Sequence, residues 1–145
     1  MDQENDGDDI VFRLNIPATF KYLNVVSSSL TAVLEHTENL CERDALIYNI
    51  ILAVHEICTN IVEHAYAGEG GRISIQFRID ERPNHIIIDV YDTGQHFDLA
   101  STPEPNLEEA LIRGYGLFLI HELMDEVSYE PTAEQNHWRL MKKLT

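Results

Sequence analysis

Basic residues are scarce in this chain. Ten lysines and arginines stand against 25 aspartates and glutamates in 145 residues, a formal charge of −15. Nucleic-acid binding needs a cationic surface, so the charge argues against that class. The same charge repels phosphate groups at long range, so any phosphate site must rely on backbone N–H groups, a divalent cation and a few local cations. Cysteine is nearly absent. Cys41 and Cys58 are the only two, too few for a disulfide framework, and both fall in helix-like segments, as expected of reduced thiols in a cytosolic protein. No apolar run reads as long enough to span a membrane. Met1-Asp2-Gln3-Glu4-Asn5-Asp6 lacks the basic-then-apolar order of a signal peptide. Residues 2–9 hold five acids, which predicts a disordered acidic tail over residues 1–9 and one folded domain over 10–145.

Several catalytic patterns are missing too. No Gly-Lys-Ser/Thr exists to form a Walker A loop, and no strand leads into three glycines as a Rossmann fingerprint requires. His55-Glu56 begins like a zinc-protease motif, but Thr59 stands where the second histidine is needed. The seven histidines are scattered without metal-ligand spacing. No nucleophile triad is legible.

What remains is a clear alternation of element types. Ile10, Phe12, Leu14 and Ile16 alternate as in a strand that Pro17 ends. Helical spacing runs from Phe20 to about Leu40, and again from Asp44 to Tyr66, where Gly68, Gly70 and Gly71 stop it. Ile73, Ile75, Phe77 and Ile79 form a second strand. A turn at Glu81-Arg82-Pro83-Asn84 leads into a central strand, Ile86 to Tyr91. An irregular segment, Gln95 to Arg113, precedes a helix from Leu117 to Met124 and a closing hairpin, Glu126–Glu130 with His137–Leu144. The order β-α-α-β-β-loop-α-β-β predicts an α+β two-layer sandwich, with helices on one face of a mostly antiparallel mixed sheet.

Three places carry candidate chemistry. Glu56 and Asn60 are four residues apart on one helix face, a carboxylate able to take a proton and an amide oxygen able to bind a hard cation. A polar stripe on a buried helix would look the same. Asp92-Thr93-Gly94 ends the central strand. Asp92 is placed to accept from an amino group and Gly94 to let a ligand approach, though a plain turn has the same pattern. Gly114-Tyr115-Gly116-Leu117 opens a helix, where free backbone N–H groups favour phosphate and Arg113 adds a cation. A loop that needs glycine for steric reasons reads identically.

Taken in order, the three resemble the nucleotide boxes of the GHKL ATPase superfamily, which includes gyrases and histidine kinases. Glu56-Ile57-Cys58-Thr59-Asn60-Ile61-Val62-Glu63-His64-Ala65-Tyr66 is similar to the first box of the bacterial anti-sigma factor serine/threonine kinases. So is Gly114 to Ile120, followed by Leu123-Met124-Asp125-Glu126-Val127, a run particular to that branch. The resemblance covers about residues 10–145. It implies the Bergerat (GHKL) ATP-binding fold, ATP and Mg²⁺ as cofactors, Glu56 as general base, and Asn60 on the metal. Asp92 would bind adenine, with Gly94 shaping its pocket. Residues 95–113 would be an ATP lid, with Arg113, Gly114, Tyr115, Gly116 and Leu117 on the nucleotide.

The implied activity is transfer of phosphate from ATP to a serine or threonine of a STAS-type anti-sigma factor antagonist. The alternative partner is a sigma factor, and family members are often homodimers. Such a protein would be cytoplasmic, with no membrane and no nucleic acid as partners. A rival reading is a regulatory module of the same fold that binds partners with little or no catalysis. Two departures stand out. The lid carries Glu104, Glu108 and Glu109 with Arg113 its only cation, and His96 replaces a glycine common in the adenine box.

Overall fold

The computed structural model describes residues 10–81, 84–97 and 115–145. The expected acidic tail and most of the expected lid lie outside the described residues. Five strands form one sheet in the order β1-β2-β3-β5-β4. They are β1 (Ile10–Pro17), β2 (Arg72–Glu81), β3 (Asn84–Asp92), β4 (Glu126–Pro131) and β5 (Asn136–Lys143). Every pairing among them is antiparallel. The central strand expected at 86–91 is indeed β3.

Alternation decides which side is covered. Ile73, Ile75, Phe77 and Ile79 of β2, Ile86, Ile88 and Val90 of β3, and Trp138 and Leu140 of β5 are all buried. Helices α1 (Leu23–Glu35) and α2 (Arg43–Asn60) lie over that face. Leu23, Val26, Leu30 and Leu34 recur every three or four residues on α1 and form its buried stripe. In α2 the stripe is Ile47, Ile50, Ala53, Val54, Ile57 and Cys58. Arg43 ties the two helices together. Its guanidinium donates to the carbonyls of Leu34 at 2.9 Å, Glu35 at 3.1 Å and Thr37 at 2.9 Å, satisfying acceptors that the end of α1 leaves open.

The expected second helix runs on to Ala65, but its last five residues, Ile61–Ala65, form a π turn rather than α-helix. By length and composition Arg43–Ala65 is enough to cross a membrane. This corrects the expectation that no segment is long enough. Here half of that stretch is buried in the domain, as the core helix against the sheet. A third helix, α3 (Tyr115–Leu123), packs Ile120 into the same core.

The other face of the sheet is open and polar, with one exception in burial. Asp89 is only 1% exposed. Its Oδ1 accepts from His137 Nε2 at 2.6 Å and Arg139 Nε at 2.7 Å, and that hydrogen bonding raises the Arg139 pKa further. Tyr91 stacks on the His137 ring at 4.4 Å.

Candidate functional site

The π turn sets the geometry at the end of α2. A π turn bonds residue i to i+5 and widens the helix, and here Tyr66 N–H donates to Ile61 O at 3.0 Å. The Ala65 carbonyl points instead to the segment after β3 and accepts from Gln95 N–H at 2.7 Å. Gly94 packs directly against this turn. A Cβ at that position would overlap the Ala65 carbonyl and sit 2.8 Å from the Ala65 Cβ, so the close approach requires glycine.

Tyr66 adds a second clamp. Its hydroxyl accepts from Thr93 N–H at 2.9 Å and donates to Arg72 O at 2.7 Å. Three places therefore meet on one phenol oxygen: the residue after the π turn, the start of β2 six residues on, and the Asp92-Thr93-Gly94 turn 27 residues on.

Asp92 is the last residue of β3 and falls on the covered face, 3% exposed. Its Oδ1 accepts from Gly94 N–H at 2.9 Å and from Asn136 Nδ2 at 2.8 Å. Among the described residues Oδ2 accepts nothing. Burial pushes the Asp92 carboxyl above the usual carboxylate range, against the lowering effects of Asn136, Gly94 N–H and the nearby His96.

A cavity of about 310 Å³ opens beside this carboxylate. Asn60, Ile61, His64 and Ala65 line it from the end of α2, and Asp92, Gln95, His96 and Phe97 from the segment after β3. Tyr129 and Trp138 close it from the hairpin. Their rings lie 4.5 Å apart, with Phe97 at 6.2 Å from Trp138, and Phe97 N–H donates to the Tyr129 hydroxyl at 2.6 Å. One wall is thus aromatic and the other polar, a division suited to a flat heterocycle with an amino edge.

The structure brings Asn60 and Asp92 to one cavity, although 32 residues separate them in sequence. Glu56 does not line it. It sits half-buried one helical turn before Asn60, on the same face of α2. Next to Asn60, the Thr59 hydroxyl oxygen is buried without a hydrogen-bond partner among the described residues. Tyr115 and Gly116 open α3, and Leu117 is half-buried against the core without lining the cavity. Arg113 and Gly114 lie outside the described residues. Cys58 offers no nucleophile, because burial pushes its thiol up to about 12.

Sequence reasoning missed Asn136, Tyr129, Trp138 and the clamp at Tyr66. One signal pointed to Asn136. It stands two residues before Trp138, so in a strand it takes an inward position where a polar side chain needs a partner. The strand was expected to begin at His137, one residue too late.

Comparison with known proteins bears on the family and the fold. The family profile "Histidine kinase-like ATPase domain" matches residues 16–142. Serine-protein kinase RsbW of Oceanobacillus iheyensis is 37% identical over 123 residues, covering 79% of this chain and 75% of that protein. Serine-protein kinase RsbW of Bacillus subtilis is 31% identical over 143 residues, covering 92% and 82%. Among solved structures, the RsbU and RsbW domains of Rv1364c from Mycobacterium tuberculosis share the fold with a TM-score of 0.68 at 20% identity. The alignment covers 93% of this chain and 32% of that one, so this chain spans about a third of its length. The histidine kinase domain of the Erythrobacter litoralis EL346 blue-light activated histidine kinase gives 0.58 at 17% identity, over 89% and 62%.

Proposed function

This chain belongs to the histidine kinase-like ATPase family, and on that premise we propose that it is an ATP-dependent serine/threonine protein kinase of the anti-sigma factor type. Its protein substrate is a STAS-type antagonist, its second partner a sigma factor that it sequesters, and it works in the cytoplasm as a homodimer. The similarity to proteins named serine-protein kinase supports phosphotransfer to protein. The observation that carries the nucleotide reading is the Asp92 carboxylate, buried at the cavity with Oδ2 unengaged among the described residues. A carboxylate oxygen held in one orientation there can accept from the exocyclic amine of adenine, whose edge differs from that of guanine in where its donors lie.

The other residues divide the work. Gly94 lets the turn close against Ala65 and so fixes the depth of the base pocket. Asn60, lining the same cavity, offers an amide oxygen for Mg²⁺. The chemistry of that donor suits the ion, because Mg²⁺ characteristically takes one or two protein oxygens with phosphates and water. When bound, it supplies charge neutralisation along the phosphates. Glu56 accepts the proton of the attacking hydroxyl. The helix opening at Tyr115, Gly116 and Leu117 is assigned to the phosphates, together with Arg113 and Gly114 of the motif. Phosphoryl transfer asks mainly for positioning and charge stabilisation, so this small set suffices.

Calorimetry with ATP, with and without Mg²⁺, on the wild type and Asn60→Ala tests the reading. Mg²⁺-dependent binding that weakens about tenfold or more in the variant supports it. Transfer of the γ-phosphate to a serine of a STAS protein then separates a kinase from an ATPase that releases inorganic phosphate. No binding at millimolar ATP would leave a binding module of the same fold.

A further inference from the structure

We propose that Asn136, itself held by His96, is the positioning residue that fixes the Asp92 carboxylate and thereby sets the purine preference of the cavity. This rests on the reading of the cavity as a nucleotide site. Asn136 is the register partner of Asp92 across β3 and β5, is 1% exposed and belongs to none of the three motifs. Its Nδ2 lies 2.8 Å from Asp92 Oδ1, 3.0 Å from Gly94 O and 3.2 Å from Gln95 O. All three are acceptors. The amide must therefore turn its NH₂ toward them, because the flipped amide would set Oδ1 against three oxygens.

That choice fixes the rest of the chain of bonds. Asn136 Oδ1 faces His96 Nδ1 at 2.6 Å. An amide oxygen only accepts, so His96 Nδ1 carries the proton and donates. His96 thus locks the amide, the amide holds Asp92 Oδ1 together with Gly94 N–H, and the carboxylate cannot rotate. Oδ2 is left as a single oriented acceptor beside the aromatic wall of Phe97, Tyr129 and Trp138. Without Asn136 the carboxylate keeps one anchor, turns about χ2, and meets donors of either purine. The glycine that His96 replaces in the related pattern has no side chain for this bond.

The test uses the full chain with Mg²⁺ and three probes: ATP, GTP and inorganic tripolyphosphate, each titrated by calorimetry. Asn136→Ala removes a hydrogen bond to a charged group, so its ATP-over-GTP preference falls roughly tenfold or more. Tripolyphosphate affinity stays at the wild-type value, because the phosphate side is untouched. His96→Ala lowers the preference by about threefold, and His96→Gln, whose amide can still donate to Asn136, restores it. A folded Asn136→Ala with an unchanged preference overturns the proposal, as does equal weakening of all three probes, which marks a merely structural role. Should Asn136→Ala fail to fold, the His96 pair decides: no difference between Ala and Gln overturns it. Wild-type protein that binds tripolyphosphate but does not prefer ATP to GTP overturns the base-recognition reading itself.

Discussion

Adding one methyl group at Gly94 should damage both the fold and the site. The new Cβ would meet the carbonyl and Cβ of Ala65, and these are backbone or backbone-fixed atoms that cannot swing aside. Overpacking of this kind costs about 1–3 kcal/mol. Relief by separation breaks the 2.7 Å bond from Gln95 N–H to Ala65 O, which adds about 1 kcal/mol. A total of ~2–4 kcal/mol corresponds to a fall in Tm of roughly 6–12 °C for a domain of this size. Gly94 N–H also anchors Asp92 Oδ1, so ATP affinity should fall about tenfold or more with it. Thermal melting and ATP calorimetry on Gly94→Ala measure the two effects. Gly70→Ala is the control, since a Cβ there has nothing within 4 Å, and should lie within about 0.5 kcal/mol of the wild type. If Gly94→Ala melts within about 2 °C of the wild type and binds ATP equally well, the close packing of the turn on the helix end is not the constraint argued above.

Glu56→Ala should keep ATP binding and lose most phosphotransfer, about 10²–10⁴-fold for loss of a general base; equal loss of binding and transfer would remove Glu56 from that role. Asp92→Asn should abolish the preference for ATP over GTP yet melt at or above the wild type at neutral pH. Because burial raises the folded-state carboxyl, the native protein holds this proton more tightly than the unfolded chain does. The resulting stability is present below the ordinary carboxylate value and lost as pH rises through the raised one. The gap between Asp92→Asn and wild type should therefore close on acidification across that window, and a gap independent of pH refutes the assignment. Asp89→Ala removes the acceptor of His137 and Arg139 on the open face. It should lower the urea-unfolding free energy by about 2–3 kcal/mol without changing ATP affinity, and a shift in ATP affinity would show that the two faces are coupled.

The strands were legible because period-two alternation survives intact in Ile73-Ile75-Phe77-Ile79 and because Ile86 to Tyr91 is strongly apolar. Asp92 stood out because it ends that run two residues before Gly94. Glu56 and Asn60 were legible for the corresponding reason on a helix, polar residues on an otherwise apolar surface. The aromatic wall and Asn136 were not, because local patterning says nothing about which strands become neighbours. Their place depends on β5 inserting between β3 and β4, a pairing 44 residues distant at Asp92 and Asn136. The π turn was hidden because Ile61 to Ala65 has ordinary helical composition. It is the bond from Gln95 N–H to the Ala65 carbonyl, formed only in the folded chain, that makes the wider turn useful.

The register of β3 also limits how this sequence can drift or be engineered. Asp89 and Asp92 are three positions apart and therefore serve opposite faces of one strand, one holding the open-face pair and the other the cavity. Inserting or deleting a single residue between them would turn one of the two carboxylates to the wrong side while the other stayed in place. Only changes of two residues preserve the facing, and those move Asp92 away from Asn136. Length variation should therefore be rejected within β3. A library of single-codon insertions selected for ATP binding would reveal that as a silent gap over residues 84–92.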